Sequence, residues 1–483
     1  MSDLHITYRE KLQFNEAENA LFKQVSDVAA RLGFPCYLVG GFVRDKLLGR
    51  DHKKDIDLVC LGLGIHLARA VAESLPGQPH VAAFKNFGTA HFRYQGMEIE
   101  FVGARKESYR HDSRNPIVED GTLQDDQLRR DFTMNALAIS LNSDDYGALI
   151  DPFNGIQDMM DRSIRTPLDP AITFSDDPLR MMRAIRFASQ LNFDIEYDTY
   201  AGIKAAKDRI RIISQERITD ELNKILLSPK PSIGLYYLSD SGLLEIIFPE
   251  LYAMHGTDMI DGQGHKDNFY HTLEVVDNIS ALTDDLWLRW AALLHDIAKP
   301  ATKKFIPPTG WTFHGHEVVG ARMTKQIFTH LKLPLQQELK RVQNIVGLHM
   351  RPISLTKENV TDSAIRRLLF EAGDDLEGLL LLCHADITTK NRLKIKKYHE
   401  NFELVKEKLR DVEARDHIRN FQPPVTGELI METFGIKPGK EVGIIKEFVR
   451  EAILEGDIPN DYQAAFQLML DKGKELGLQP ITK

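Results

Sequence analysis

Between Leu38 and Leu58 the chain reads Leu-Val-Gly-Gly-Phe-Val-Arg-Asp-Lys-Leu-Leu-Gly-Arg-Asp-His-Lys-Lys-Asp-Ile-Asp-Leu, and no other stretch restricts the possible folds so tightly. Apolar Cys36 to Val39 predicts a strand. Gly40-Gly41 predicts a turn whose backbone N–H groups can close on an anion that a Cβ would exclude, with Arg44 on the helix that opens there. A second strand carries Asp55-Ile56-Asp57-Leu58-Val59. Side chains alternate faces along a strand, so Asp55 and Asp57 share one face while Ile56 and Leu58 turn to the core. Two such carboxylates can hold a pair of Mg²⁺ ions roughly 3.5–4 Å apart, against a triphosphate and an attacking hydroxyl. Asp-x-Asp alone is common on solvated edges; the Gly-Gly-x-x-Arg-Asp run upstream gives it meaning.

A second informative stretch is Phe174-Ser175-Asp176-Asp177-Pro178-Leu179-Arg180-Met181-Met182-Arg183-Ala184-Ile185-Arg186-Phe187. It predicts a helix that Ser175 can cap, with Asp176 and Asp177 at its N-terminus and Pro178 in its first turn. Asp177, Arg180 and Arg183 then form one polar stripe, and Met181, Met182, Ile185 and Phe187 fill the other side. A carboxylate accepts from the exocyclic amino group of cytosine or adenine while an arginine donates to the ring acceptors. Uracil and guanine present that pair reversed, so an Asp/Arg edge favours CTP and ATP, at roughly 1–3 kcal/mol per good bidentate contact.

Taken together, these blocks resemble the DNA polymerase β superfamily and, within it, the class II tRNA nucleotidyltransferases and bacterial poly(A) polymerases, from about Tyr37 to Leu226. The resemblance implies a third metal-side carboxylate at Glu100, in the alternating strand Met97–Val102 with Arg105 beyond it. It implies that Gly40, Gly41, Arg44 and Arg130 position the phosphates, Arg130 through the planar fork of the Arg129-Arg130-Asp131 block, with Asp131 expected to hold Arg130 in place. Asp151–Asp158 resembles the block that ends the catalytic domain as a hinge. Asp177 and Arg180 would read the incoming base without a template, and Arg183 and Arg186 would add charge toward the nucleotide. Asp176 stands where the family more often has Glu. Arg217 and Glu221 resemble an element expected to brace the base-reading helix as an i,i+4 pair.

Farther along, His271, His295-Asp296, His314, His316, His349 and His384-Ala385-Asp386 are spread over helical stretches. Imidazoles mixed with carboxylates suit Mn²⁺, Fe²⁺, Ni²⁺ or Zn²⁺, whereas an all-oxygen site suits Mg²⁺. The pattern resembles the HD metal-dependent phosphohydrolase domain, which implies His271, His295, Asp296 and Asp386 as core ligands and His316 and His349 as added ones. The implied chemistry is hydrolysis of a phosphate ester by metal-activated water.

The remaining features bound this reading. At 483 residues the chain is long enough for three or four structural units. With 43% hydrophobic and 27% charged residues it is of globular type. No segment approaches the roughly 20 apolar residues of a membrane span, and Met1–Tyr8 has no basic leader, so the expected location is the cytoplasm. Cys36, Cys60 and Cys383 lack metal-like spacing and read as reduced core residues. The net charge of −9 confines any RNA contact to local basic surfaces, because screening limits the useful field to about 8–10 Å. Lys204, Lys207, Arg209 and Arg211, and Lys390, Arg392, Lys394, Lys396 and Lys397, are candidates that serve equally as solvated helix faces. The turn around Gly435–Gly443 is compatible with phosphate contact and with a plain helix-hairpin connection.

The expected fold class is α+β: a polymerase-β-like nucleotidyltransferase head of mixed sheet with helices, then an all-α neck, an HD body and a tail. The expected boundaries are 1–150, 151–250, 251–400 and 401–483. The expected function is transfer of CMP and AMP from CTP and ATP to the 3' end of tRNA, Mg²⁺-dependent, with no membrane and no obligate protein partner. The HD resemblance leaves room for a second, phosphohydrolase activity using Mn, Ni, Fe or Zn. The alternatives are a poly(A) polymerase, or a phosphohydrolase whose transferase-like half binds RNA.

Overall fold

A computed structural model describes residues 12–50, 55–84, 88–108, 117–260, 263–265, 267–355, 360–389, 391–419 and 421–481. Lys390 lies outside these, as do the side chains of Arg392 and Lys394. The chain packs as two compact units, one running to Ile225 and including Ile233–Ile247, the other made of Leu226–Ser232 and the residues from Phe248 onward.

The first unit is built on a seven-stranded sheet. Its strands are β1 (Cys36–Val39), β2 (Asp55–Cys60), β3 (Ala82–Phe84), β4 (Thr89–Tyr94) and β5 (Met97–Gly103). After a two-stranded ribbon of β6 (Arg105–Ser108) and β7 (Ile117–Asp120) come β8 (Ala138–Ser140) and β9 (Leu149–Ile150). The order across the sheet is β3-β4-β5-β2-β1-β8-β9, with β2 and β5 parallel and every other neighbouring pair antiparallel. Ile56, Leu58, Phe92, Ile99 and Phe101 are buried on one face, where helix Gly64–Ser74 packs on β4 and β5. Burying each such side chain contributes about 1.5–3 kcal/mol, and a one-residue slip would move the whole set to solvent. The register is therefore fixed, and it sets Asp55 opposite Glu98 and Asp57 opposite Glu100. Helix Glu16–Leu32, opened by an Asn15/Glu18 capping box, packs on helix Gly64–Ser74.

Helices follow the sheet. The single helix expected to open near Ser175 is two: Pro170–Asp176 and Leu179–Leu191. Pro178 has no N–H and disfavours helical geometry in the residue before it. Asp177 is accordingly extended, at φ −138° and ψ 101°, and ends the first helix. Ser175 sits inside that helix and caps nothing; Asp177 Oδ1 accepts from the Leu179 N–H at 3.1 Å instead. The second helix buries Met181, Met182, Ala184, Ile185 and Ala188 and ends at Asn192 in the left-handed conformation.

The second unit is helical, with two short hairpins, around a core that includes Phe248, Trp290 and Phe328. Cys36, Cys60 and Cys383 are buried free thiols, and burial pushes Cys60 up to about 12. No helix among the described residues is long and apolar enough to cross a membrane.

Candidate active sites

Three adjacent strands present a grid of polar side chains on the solvent face of the sheet. Strand pairing puts Asp57, Glu100 and His91 in one row, and Asp55, Glu98 and Arg93 in the next. Asp55, Asp57, Glu98, Glu100 and His91 line a cleft of about 410 Å³ together with Gly41 and Phe42. Burial of the Glu100 carboxyl among these neighbours, and then the nearby Asp57, raise its pKa above the usual glutamate value. Carboxylates that crowd one another in this way fit a site completed by a divalent cation.

At one flank of the grid lies the glycine turn. Gly40 has φ +75°, and a Cβ there would stand 3.1 Å from both Asp57 Oδ2 and Arg130 Nη1. Only glycine lets the turn, the Asp57 carboxylate and the Arg130 guanidinium meet at one point. Asp126, fully buried, orients Arg130 through 3.2 and 3.0 Å bonds from its Nε and Nη2 and also binds Arg129.

Two expected pairings are exchanged. Asp131 does not hold Arg130; it accepts from Arg183 Nε at 2.7 Å and from Asn135 Nδ2 at 2.9 Å. Burial opposes its charge, but Arg183 above all, then Asn135, hold the carboxyl well below the usual aspartate range. Asn135 in turn accepts from Arg44 Nη1 at 2.7 Å, while Arg44 Nε and Nη2 bind Asp45 at 2.8 and 2.9 Å. Arg44 is therefore buried beneath the turn and is not part of the cleft lining. Nor does Arg217 pair with Glu221: Arg217 binds Asp177 at 3.2 Å, and Glu221 binds buried Arg186 at 3.0 Å. The bracing role expected of that helix is carried by these two cross-helix pairs. Arg186 points to Glu221, not to the cleft. Arg180 donates to the Arg129 carbonyl, so the Leu179–Leu191 helix is tied to the Arg-Arg-Asp block at two places. Arg186, Arg44 and Arg183 place their guanidinium carbons 4.4, 4.8 and 5.6 Å from the ring centre of Phe187, which separates three like charges.

In the second unit all six expected ligands converge, each near a helix end. His271 Nε2 lies 3.0 Å from Asp386 Oδ1 and 3.5 Å from Asp296 Oδ2. His295 Nε2 is 3.2 Å from Asp296 Oδ2, and His316 Nε2 is 3.2 Å from Asp296 Oδ1. His316, not exposed His314, is the member of the cluster. The Nδ1 atoms of His295, His316 and His349 contact the carbonyls of Ala292, Phe313 and Val346 at 2.7, 2.8 and 2.7 Å. A ring that donates there keeps its lone pair on Nε2, facing inward. The Nε2 atoms of His316 and His349 nevertheless approach to 3.2 Å, and His295 Nε2 is buried without a hydrogen bond. Lone pairs facing one another fit a cation between them. The ligand atoms fall into two groups, His271, His295 and Asp386, and Asp296, His316 and His349, each within 4.8 Å. Burial pulls His349 down to about 4 and so keeps it neutral.

Sequence reasoning missed His91, Glu98 as a lining residue, and the Arg44–Asn135 link. His91 could have been placed by pairing Thr89–Tyr94 antiparallel with the Glu98/Glu100 strand. The Asn135 contact spans 91 residues and leaves no local trace.

Residues 36–165 match the family described as Poly A polymerase head domain, 192–254 the family described as probable RNA and SrmB-binding site of polymerase A, and 268–391 the HD domain. An A-adding tRNA nucleotidyltransferase of Deinococcus radiodurans is 34% identical over 355 residues, 71% of this chain and 78% of that protein. One of Aquifex aeolicus is 45% identical over 170 residues, 35% of this chain and 20% of that protein. A tRNA nucleotidyltransferase solved with a primer tRNA and an incoming ATP analog superposes with TM-score 0.57 at 26% identity, covering 81% of this chain and 99% of that one. A CCA-adding enzyme solved with ATP shares the fold, with TM-score 0.63 at 22% identity over 97% of this chain and 98% of that one.

Proposed function

Since this chain belongs to the tRNA nucleotidyltransferase and poly(A) polymerase family and is a nucleotidyltransferase acting on tRNA, we propose that it transfers CMP and AMP from CTP and ATP to the tRNA 3' end, building or repairing the terminal CCA. The observation that carries this reading is the three carboxylates of Asp55, Asp57 and Glu100 on one strand face, flanked by the glycine turn and Arg130. Mg²⁺ held there would neutralise the triphosphate and lower the pKa of the attacking hydroxyl. The chain's own groups do the placing. Backbone N–H groups at Gly40-Gly41 and Arg130 Nη1, the guanidinium nitrogen beside the turn, take the phosphates. Arg44 acts from beneath, holding Asn135 and Asp45 and so the geometry of the turn. Asp177 accepts from the exocyclic amino group of the base and Arg180 donates to its ring acceptor, with Arg217 and the Arg129 carbonyl fixing the two side chains. Arg183 and Arg186 serve this edge through Asp131 and Glu221.

Incubation of the purified chain with tRNA lacking CCA and each labelled nucleotide tests it. Addition of CMP, then AMP, then arrest supports the reading. AMP addition only to tRNA ending in CC would assign the narrower activity named in the Deinococcus and Aquifex relatives, and open-ended A tails would assign a poly(A) polymerase.

A second, hydrolytic activity is favoured by the facing lone pairs of His316 and His349. His271, His295 and Asp386 would hold one transition-metal ion and Asp296, His316 and His349 a second, with Asp296 offering one oxygen to each group. Metal there would activate water toward a phosphate ester. Assays of 2',3'-cyclic nucleotides with Mn²⁺, Ni²⁺ or Co²⁺ test this, and absence of turnover with every metal would reject it.

A further inference from the structure

Resting on the nucleotidyl-transfer reading, we propose that His91 binds the acceptor RNA, taking a hydrogen bond at Nε2 from the 2'-hydroxyl of its terminal ribose. The argument begins with the order of strands. From one side to the other the sheet runs β4, β5, β2, β1, so the polar row reads His91, Glu100, Asp57 and then the glycine turn with Arg130. With strands about 4.7–4.9 Å apart, this row spans roughly 14 Å from imidazole to turn.

Phosphoryl transfer imposes a direction on that row. The attacking and leaving oxygens must lie roughly in line on opposite sides of the α-phosphate. Gly40, Gly41 and Arg130 take the phosphates at the β1 end, so pyrophosphate departs toward β1. The acceptor hydroxyl must then approach from the β5 and β4 side. There the cleft is lined by Glu100, Glu98 and His91, and His91 is the only one of the three that is not an anion facing an anionic RNA.

The imidazole is held in a state suited to the task. Glu98 Oε1 lies 3.2 Å from its Nδ1, which keeps a proton on Nδ1 and leaves Nε2 as an acceptor. The half-exposed ring of Phe84 packs edge-on against it at 5.6 Å between centres, fixing its plane. Glu98 is itself tied on its far side by Arg93 at 3.1 Å. A ring braced on two sides, in a residue that lines the cleft beside the Glu100 carboxylate, is placed to meet a hydroxyl. Of the two ribose hydroxyls, the 3' oxygen is taken up by the reaction. The 2'-hydroxyl is its neighbour and is the group by which a protein tells RNA from DNA.

The test uses two tRNA acceptors that both keep the 3'-hydroxyl, one ending in a ribonucleotide and one in a 2'-deoxyribonucleotide, with ATP as donor. The unmodified chain should use the ribo acceptor better by about tenfold in kcat/KM, the scale of one net hydrogen bond. His91→Ala should lower kcat/KM for the ribo acceptor by about the same factor, leave the deoxy acceptor unchanged and leave the KM for ATP unchanged, so the ratio falls to about one. His91→Gln, which can place an amide oxygen at similar depth, should restore part of the preference. A ribo/deoxy ratio that is the same in the unmodified chain and in His91→Ala, a loss equal on both acceptors, or a loss confined to the KM for ATP would each overturn the proposal. No transfer by the unmodified chain to either acceptor would overturn the nucleotidyl-transfer reading itself, which is a distinct result.

Discussion

The head gathers its candidate ligands on two adjacent strands, all of them carboxylates, along an open cleft in which Asp55 is exposed and Glu100 partly desolvated. The second unit gathers four imidazoles and two carboxylates from the ends of separate helices, with His295, Asp296 and His349 almost wholly buried. Exposed oxygen ligands suit a hard cation that arrives with a triphosphate and keeps part of its water. Buried imidazoles whose outer nitrogens are pinned to carbonyls suit a resident, softer ion. The contrast extends to how each site is held. A strand face needs only the sheet register, whereas the helical site needs several long-range packings to be right at once.

The largest expected effect separates the two sites directly. Asp57→Ala should cost nucleotide addition about a thousandfold or more, because it removes several kcal/mol of metal-based stabilisation, and should leave any phosphohydrolase turnover intact. His295→Ala should do the reverse. Radiolabelled-nucleotide and cyclic-nucleotide assays on both variants check this; loss of both activities in either variant would break the contrast.

Next in size is the link beneath the head site. Asp131→Asn leaves Arg183 without its anion; the carboxylate is buried but the guanidinium is about one-third exposed, so the loss costs about 1–3 kcal/mol. Hydrogen exchange of the Leu179–Leu191 helix should read this as lost protection near pH 7. The Asp131 pKa is depressed in the folded chain, so its stabilisation is complete above the unfolded aspartate value and is lost only as pH falls through the folded one. The protection gap between the two proteins should therefore be flat from about pH 8 to 5 and shrink only below about 4. A gap that already closed near pH 6 would mean that Asp131 is not held as an anion.

The two sites also differ in how far they could be read in advance. Asp55, Asp57 and Glu100 were legible because strand alternation is a local rule, and one register then brings two strands together. The candidate ligands of the second unit were legible as a set of residue types, with His316 preferred to His314 only through the family resemblance, and helix His316–His330 brings His316 to the cluster. Pairings across the fold were not legible at all. Asp131 with Arg183, Arg217 with Asp177 and Glu221 with Arg186 replaced nearer partners in the sequence, because short acidic and long basic side chains leave several matches open until packing selects one. The break at Asp177 was latent in Pro178, whose effect on the preceding residue outweighed the acidic N-terminal pattern.

Smaller effects sharpen the division of labour within the head. Asp177→Ala should weaken discrimination between ATP and GTP by about 10–100-fold, one bidentate contact being worth roughly 1–3 kcal/mol, with little change in the rate of the last step once ATP saturates. Arg217→Ala should show the same change at a fraction of the size, since it orients Asp177 from a partly exposed position. Competition between labelled ATP and GTP on one tRNA acceptor measures both. If Arg217→Ala were the more severe, the base edge would lie on the Arg217 side and not at Asp177.

The smallest effect is the most demanding of the comparison. The carboxylate grid belongs to the first unit and the histidine cluster to the second, with no residue common to both. Two sites that act independently change one another's free energies by only about 0.3–0.5 kcal/mol, or about twofold. Stripping the chain with a chelator and then restoring Mg²⁺ alone should therefore return nucleotide addition to within about twofold of its starting rate, while elemental analysis shows the histidine cluster still short of transition metal. Asp296→Ala should lower the metal retained through desalting, because Asp296 faces both ligand groups, and should leave that addition rate equally unmoved. A rate that tracked transition-metal content would mean that the resident metal governs the transferase, and the two sites would have to be treated as one machine.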